Sequence, residues 1–253
     1  MCEAEIRPVA PSFTIPPALP FSRDRMFCGR DDVIDKIHSI FNSSVLCGVE
    51  GGARPMTRKT VVLYGLGGIG KSSIALEYSF RYLDSYTAVF WVDVTSGTSM
   101  ASSMRSILGH IIAGYAGQGI PFGQIASMLA LEGLLGQFGA ISSDATAEPR
   151  LAEALRKWLA EKTNKNWLLI LDNYDDGGVD IHLLLPTCDT GNIIITSRKS
   201  NLQMLGILVP VDDIDEESGV SLLIKSANLE QPGSEGKHEC NPFSCQANLV
   251  HRS

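Results

Sequence analysis

The sequence predicts an α/β fold, a parallel sheet covered by helices on both faces, and three observations carry that expectation. Several short runs are apolar throughout, as strands are when buried between two helical layers. Helical periodicity fills the segments between them. A glycine-rich turn joins one such run directly to a helix, the connection that a βα unit makes.

The chain has 253 residues, 44% hydrophobic and 19% charged, enough for one globular domain with tails. Lys and Arg number 21 against 28 Asp and Glu, a net charge of −7. That sign disfavours nucleic acid and anionic membrane as partners. Six cysteines are scattered without a C-x-x-C pair, and Met1-Cys2-Glu3-Ala4-Glu5 lacks the basic start of a secretory signal. A reducing, cytoplasmic setting is expected.

Residues 1–25 carry Pro8, Pro11, Pro16, Pro17 and Pro20 without periodicity, which suits an extended linker or arm outside the core. The domain proper is expected over 26–230. Phe27-Cys28-Gly29-Arg30 leads into an amphipathic helix capped by Asp31, with Val33, Ile34, Ile37, Ile40 and Phe41 on one face. Gly48, Gly51, Gly52 and Pro55 mark a loop before a β-branched strand at 60–64. A helix over 72–83 is apolar on most sides, as a helix packed against a sheet should be.

Further buried strands are expected at 88–94, Trp167–Asp172 and Asn192–Ser197. A fifth lies at 207–211, where Pro210 favours a sheet edge. Between positions 106 and 131 there is no Asp, Glu, Lys or Arg, a length that raises the question of a membrane span. His110, Pro121 and repeated glycines argue instead for two short buried helical pieces. With a helix at 148–162, the segment 99–165 supplies three helices. Residues 231–253 read as a polar tail, and the spacing of His238, Cys240, Cys245 and His251 fits no standard zinc pattern.

The chemistry concentrates in Gly65-Leu66-Gly67-Gly68-Ile69-Gly70-Lys71-Ser72, which satisfies G-x-x-x-x-G-K-[ST] between a strand and a helix. Successive amides in such a loop point into one concavity, and the helix dipole adds positive potential there, so phosphate oxygens can replace water. Lys71 supplies a point charge to the β- and γ-phosphates and Ser72 a hydroxyl ligand to Mg²⁺. Gly65, Gly67, Gly68, Ile69, Gly70, Lys71 and Ser72, with Ser73 as the next helix residue, form the expected nucleotide-binding set.

A second metal ligand is expected at the end of another buried strand, where Asp172 stands. Asn173 follows it, although many hydrolytic P-loop proteins place a second acidic residue there to orient water, a task an amide cannot perform. Asp175 and Asp176 are the alternatives for that task. Thr196-Ser197-Arg198 closes the next strand and brings a guanidinium to the same edge, where Arg198 can sense a terminal phosphate.

Together, Phe27–Arg30, Gly65–Ser72, Phe90-Trp91-Val92-Asp93, Leu168–Asn173 and Ile193–Arg198 resemble the NB-ARC module of fungal NOD-like receptors, within the STAND class of P-loop ATPases. The resemblance covers about residues 26–228. It implies a five-stranded sheet with the sensor strand between the P-loop strand and the Asp172 strand. Arg30 would then lie near the adenine and Arg198 would act as sensor 1. It also implies an ATP/ADP switch with slow hydrolysis at best, whose oligomers recruit an effector. A helical lid and a winged-helix domain would follow in that family, and neither is recognisable here. A truncated module is therefore expected. Two other readings compete: a non-catalytic interaction fragment, and another AAA+-like ATPase, which the absence of a basic stripe weighs against as a nucleic-acid motor.

Overall fold

A computed structural model describes residues 14–43, 58–142, 148–175, 179–214 and 216–227. The loop expected around Gly48–Pro55, the tail at 231–253 with its His and Cys residues, and Asp176 lie outside the described residues. Eleven helices and strands follow in chain order: α1 (Asp31–Asn42), β1 (Lys59–Tyr64), α2 (Lys71–Arg81), β2 (Ala88–Asp93), α3 (Gly97–Gly117), α4 (Phe122–Leu129), α5 (Glu148–Ala160), β3 (Trp167–Asp172), β4 (Asn192–Ser197), β5 (Ile207–Pro210) and α6 (Glu216–Ser226).

The strands form one parallel sheet in the order β2-β3-β4-β1-β5. This is the α/β fold of a P-loop NTPase, with β4 between β1 and β3. Alternation along each strand divides the core in two. Val62, Phe90, Leu169, Leu171, Ile193 and Ile195 face α3, α4 and α5, while Val61, Leu63, Trp91, Leu168, Ile170 and Ile194 face α1 and α2. β5 takes the edge that Pro210 favours, pairing with β1 alone. Close approach fixes the other strands: a Cβ on Gly191, at φ 78°, would lie 2.2 Å from the Trp167 ring.

Three expectations change on inspection. The described part of the proline-rich arm, residues 14–25, reaches the core: Ile15 N donates to Thr87 O and Ala18 N to Val89 O, so this segment covers the free edge of β2 and Ile15 is buried. Asp31 does not cap α1; Arg30 holds the cap position at φ 64°, and Asp31 is the first helical residue. The uncharged stretch breaks at 118–121 as expected, but α3 runs 21 residues through Gly109, His110 and Gly114. An interior glycine costs only about 1 kcal/mol relative to alanine. Burial of Met104, Ile107, Leu108, Ile111 and Tyr115 offsets that. No described helix is long and apolar enough to cross a membrane.

One ion network secures the arm and α1 to α2, the helix that starts at the glycine-rich loop. Glu77, buried in α2, accepts from Arg23 Nη2 at 2.7 Å and Nε at 3.0 Å, and from Arg81 Nε at 2.7 Å. Arg81 Nη1 also reaches Asp31 at 2.5 Å. Burial alone would push the Glu77 carboxyl up, but hydrogen bonds and charge from Arg23 and Arg81 outweigh it and hold the group below its ordinary value. A depressed carboxyl stabilises the fold above its unfolded value and loses that contribution as the pH falls. Glu77→Gln should therefore lower the melting temperature at pH 7 by about 2–6 °C. The gap from wild type should begin to narrow as the pH falls past about 4.5, the ordinary value of the group, and close as the pH passes below its lower folded value. A gap independent of pH in thermal melts would remove the ion network as its cause.

Candidate functional site

Parallel strands put all their carboxyl ends on one side, so residues that follow β1, β3 and β4 meet above the same edge. The glycine-rich loop leaves β1 there. Gly65 is required because the chain leaving β5 passes against it: a Cβ would lie 2.4 Å from Val211 O. Gly68 and Gly70 adopt φ 79° and 99°, which suits residues without a Cβ. Ile69 N closes on Leu66 O, and α2 begins at Lys71 with Gly70 as its cap. Gly67, Gly68, Gly70, Lys71, Ser72 and Ser73 line one wall of a cleft of about 350 Å³, and Asn173, Asp175 and Arg198 line the other.

Lys71 Nζ donates to Gly65 O at 3.0 Å and Leu66 O at 2.7 Å, so the ammonium folds back over its own loop. Burial pushes Lys71 down; Asp175 and Asp172 oppose that, and Arg198 adds to it. Beneath the loop, Ser72 Oγ donates to Asp172 Oδ1 at 2.7 Å, joining the first turn of α2 to the end of β3. Thr196 Oγ1, on the intervening β4, donates to the same oxygen at 2.6 Å, and Asn173 Nδ2 reaches Oδ2 at 3.1 Å.

Asp172 is 6% exposed. Burial pushes its carboxyl above the ordinary value, and the Asp93 charge acts the same way; the hydroxyls of Thr196 and Ser72 and the Lys71 charge only partly compensate. A buried carboxylate held by hydroxyls, with no ion pair among its hydrogen bonds, suits a cation ligand.

The chain turns sharply after β3. Asn173 takes φ 65°, its amide donates to Thr196 Oγ1 at 2.9 Å, and Tyr174 N donates to Thr196 O at 2.9 Å. This turn carries Asp175 over the start of the β4 exit. There Arg198 donates its backbone amide to Asp175 Oδ1 at 2.6 Å and its Nε to Oδ2 at 2.5 Å. Burial pushes Asp175 up, but the amide, guanidinium and charge of Arg198, aided by Lys71, hold it below the ordinary range. Arg198 packs across the loop, with its Cδ 3.6 Å from where a Gly67 Cβ would stand.

The structure thus brings Gly67, Gly68, Gly70, Lys71, Ser72, Ser73 and Arg198 to one cleft, with Asp172 buried behind its lining and hydrogen-bonded to Ser72. Arg30 is not among the residues that line this cleft. Its guanidinium donates to Ile69 O at 3.2 Å and Asp212 O at 2.5 Å, tying the loop to the segment after β5 rather than lining the cleft. Ile69 shares that role through its carbonyl. Thr196 was not singled out from sequence, although its position ahead of Arg198 at the end of a buried strand was the available signal.

No family model matches the chain. It is 24% identical over 226 residues to a nucleotide-binding leucine-rich repeat (NLR)-like protein of Hyaloscypha variabilis, covering 81% of this chain and 19% of that one. The chain therefore spans about a fifth of the length of the curated relative it matches. Among solved structures, it is similar to a Signal Transduction ATPase with Numerous Domains (STAND) protein with a tetratricopeptide repeat sensor from Pyrococcus horikoshii, at 21% identity and TM-score 0.41 over 82% of this chain and 26% of that one. It is also similar to Cdc6p from Pyrobaculum aerophilum, at 11% identity and TM-score 0.44 over 83% and 52%. The strand order, the loop that opens α2 and the relationship to the NLR-like protein support an NB-ARC/STAND P-loop NTPase module.

Proposed function

We propose that this module is a cytoplasmic ATP/ADP-binding switch of an NLR-like, STAND-type regulator, with slow hydrolysis or none. The observation that carries the reading is the Ser72–Asp172 hydrogen bond directly beneath the glycine-rich cleft. It supports the reading because a P-loop protein binds Mg²⁺ through a hydroxyl and a carboxylate of these two types. Ser72 and Asp172 would hold that ion, which neutralises phosphate charge when bound. The loop amides and Lys71 would take the phosphates, the ammonium exchanging its two carbonyl partners for phosphate oxygens.

Two observations support slow turnover. Asn173 turns its amide onto Asp172, so it offers no base. Asp175 gives both oxygens to Arg198 and is held below the ordinary carboxylate range, which makes it a poor proton acceptor. Nucleotide exchange would act on the module only through different affinities for two arrangements, with effector or self-association partners responding to the one that ATP favours.

Titration calorimetry with ATP, ADP and GTP tests the reading; adenine nucleotides should bind and GTP should not compete. Lys71→Ala should weaken ATP binding by about 1.5–3 kcal/mol, roughly 10- to 150-fold, the worth of a charge-assisted hydrogen bond. Undiminished affinity in that variant would sink the nucleotide assignment.

Asp172→Asn separates the metal from the phosphate contacts. In EDTA the variant should bind ATP at least as tightly as wild type, because a negative charge has left the phosphate site. The further gain that Mg²⁺ gives the wild type should disappear. Persistence of that gain would show that Asp172 holds no metal.

A further inference from the structure

The Asp175–Arg198 pair occupies the cleft wall facing the loop, and the binding chemistry above makes no use of the carboxylate. Its setting is unequal on the two sides. The Asp175 side chain is 18% exposed, and the turn that carries it is pinned by Thr196 at Asn173 and Tyr174, while Ser197 Oγ donates to Tyr174 O at 2.5 Å. The Arg198 side chain is 62% exposed and spans the open mouth over Gly67. The carboxylate is thus the more enclosed member of the pair and the guanidinium the more exposed.

Charge sharpens the asymmetry. Asp175 faces Lys71 as well as Arg198, so both cations of the cleft act on this carboxylate. An anionic group arriving beside Lys71 at the Arg198 side of the cleft meets Asp175 as a like charge and as a competitor for the same guanidinium. An ion pair with one largely exposed partner contributes little, so a phosphate can compete for the guanidinium.

We propose that Asp175 is a specificity residue for phosphate chain length: it retains Arg198 when a diphosphate is bound and yields it to the terminal phosphate of a triphosphate, thereby weighting the site toward the diphosphate. Asp175 acts through Arg198 and is a positioning residue. The inference rests on the nucleotide-binding reading given above and adds to it which residue sets the balance between the two nucleotides.

The experiment measures ADP and AMP-PNP, a non-hydrolysable triphosphate, by calorimetry in Mg²⁺ for wild type, Asp175→Asn, Asp175→Ser, Arg198→Ala and the double variant Asp175→Asn/Arg198→Ala. Both Asp175 variants should shift the ratio of AMP-PNP to ADP affinity toward the triphosphate by about three- to tenfold, the worth of one exposed charge pair. Arg198→Ala should shift it the other way, and replacing Asp175 in that background should change the ratio by less than it does in the wild type, because only the like-charge repulsion is then left to remove. A purely structural role would weaken both nucleotides together and leave the ratio in place, and that result overturns the inference. So does an unchanged ratio accompanied by loss of ATP hydrolysis, which would make Asp175 a water-positioning base. Binding of both nucleotides with the wild-type ratio in every variant leaves the nucleotide site standing and removes only this inference. Failure of the wild type to bind either nucleotide removes both.

Discussion

The buried carboxylate of Asp172 is the constraint around which this molecule is arranged. It stands where three segments converge, taking a hydroxyl from the first turn of α2, a hydroxyl from β4 and a side-chain amide from Asn173, the residue that follows β3. Those donors do not fully compensate for burial, since the group remains above its ordinary value. A charge kept in that state opposes folding slightly, and such strain gathers where a ligand is to be bound. The strand order makes the convergence possible: with β4 between β1 and β3, Thr196 can bridge to Asp172 while Ser72 reaches it from above.

The same geometry explains why the glycine-rich loop needs support from behind. Its concave side is given over to the cleft, so its outer side is held by other parts of the chain. Gly65 packs against the backbone at Val211, and Arg30 takes the carbonyl of Ile69 while holding Asp212 with its other nitrogen. α2, which carries Lys71 and Ser72, is in turn fixed to α1 and to the arm by the Glu77 network. Position at the cleft is thus set by contacts made well outside it.

Much of this was legible in the sequence, for definable reasons. Strands buried on both faces read as unbroken apolar runs, and the loop, Asp172 and Arg198 each follow such a run, so parallel pairing alone brings them to one edge. The position of β4 inside the sheet came from the resemblance to NB-ARC modules, because periodicity says nothing of strand order. What stayed hidden depended on distant partners. Ile15 is buried because β2 has a free edge, a fact of topology rather than of the proline-rich arm itself. Arg30 binds backbone carbonyls, which leave no trace in side-chain pattern. The pairing of Asp175 with Arg198 follows from a left-handed turn at Asn173 that an Asn permits but does not announce.

Charge balance at the cleft ties these pieces together. Lys71 and Arg198 are matched there by Asp172 and Asp175, so the site offers little free positive charge to a polyphosphate. A polyphosphate bound there would be drawn instead by oriented amides, by the end of α2 and by the divalent cation that Ser72 and Asp172 are proposed to hold. A site built that way responds steeply to how its few cations are shared. Each further anionic group has to take a cation from a carboxylate, and Asp172 and Asp175 differ in what they release: Asp172 is buried beneath hydroxyls, whereas Asp175 is paired with an exposed guanidinium. Under the proposal above, a terminal phosphate would be read as a change in the partner of Arg198, from a carboxylate held by the β3–β4 turn to a group that arrives with the ligand.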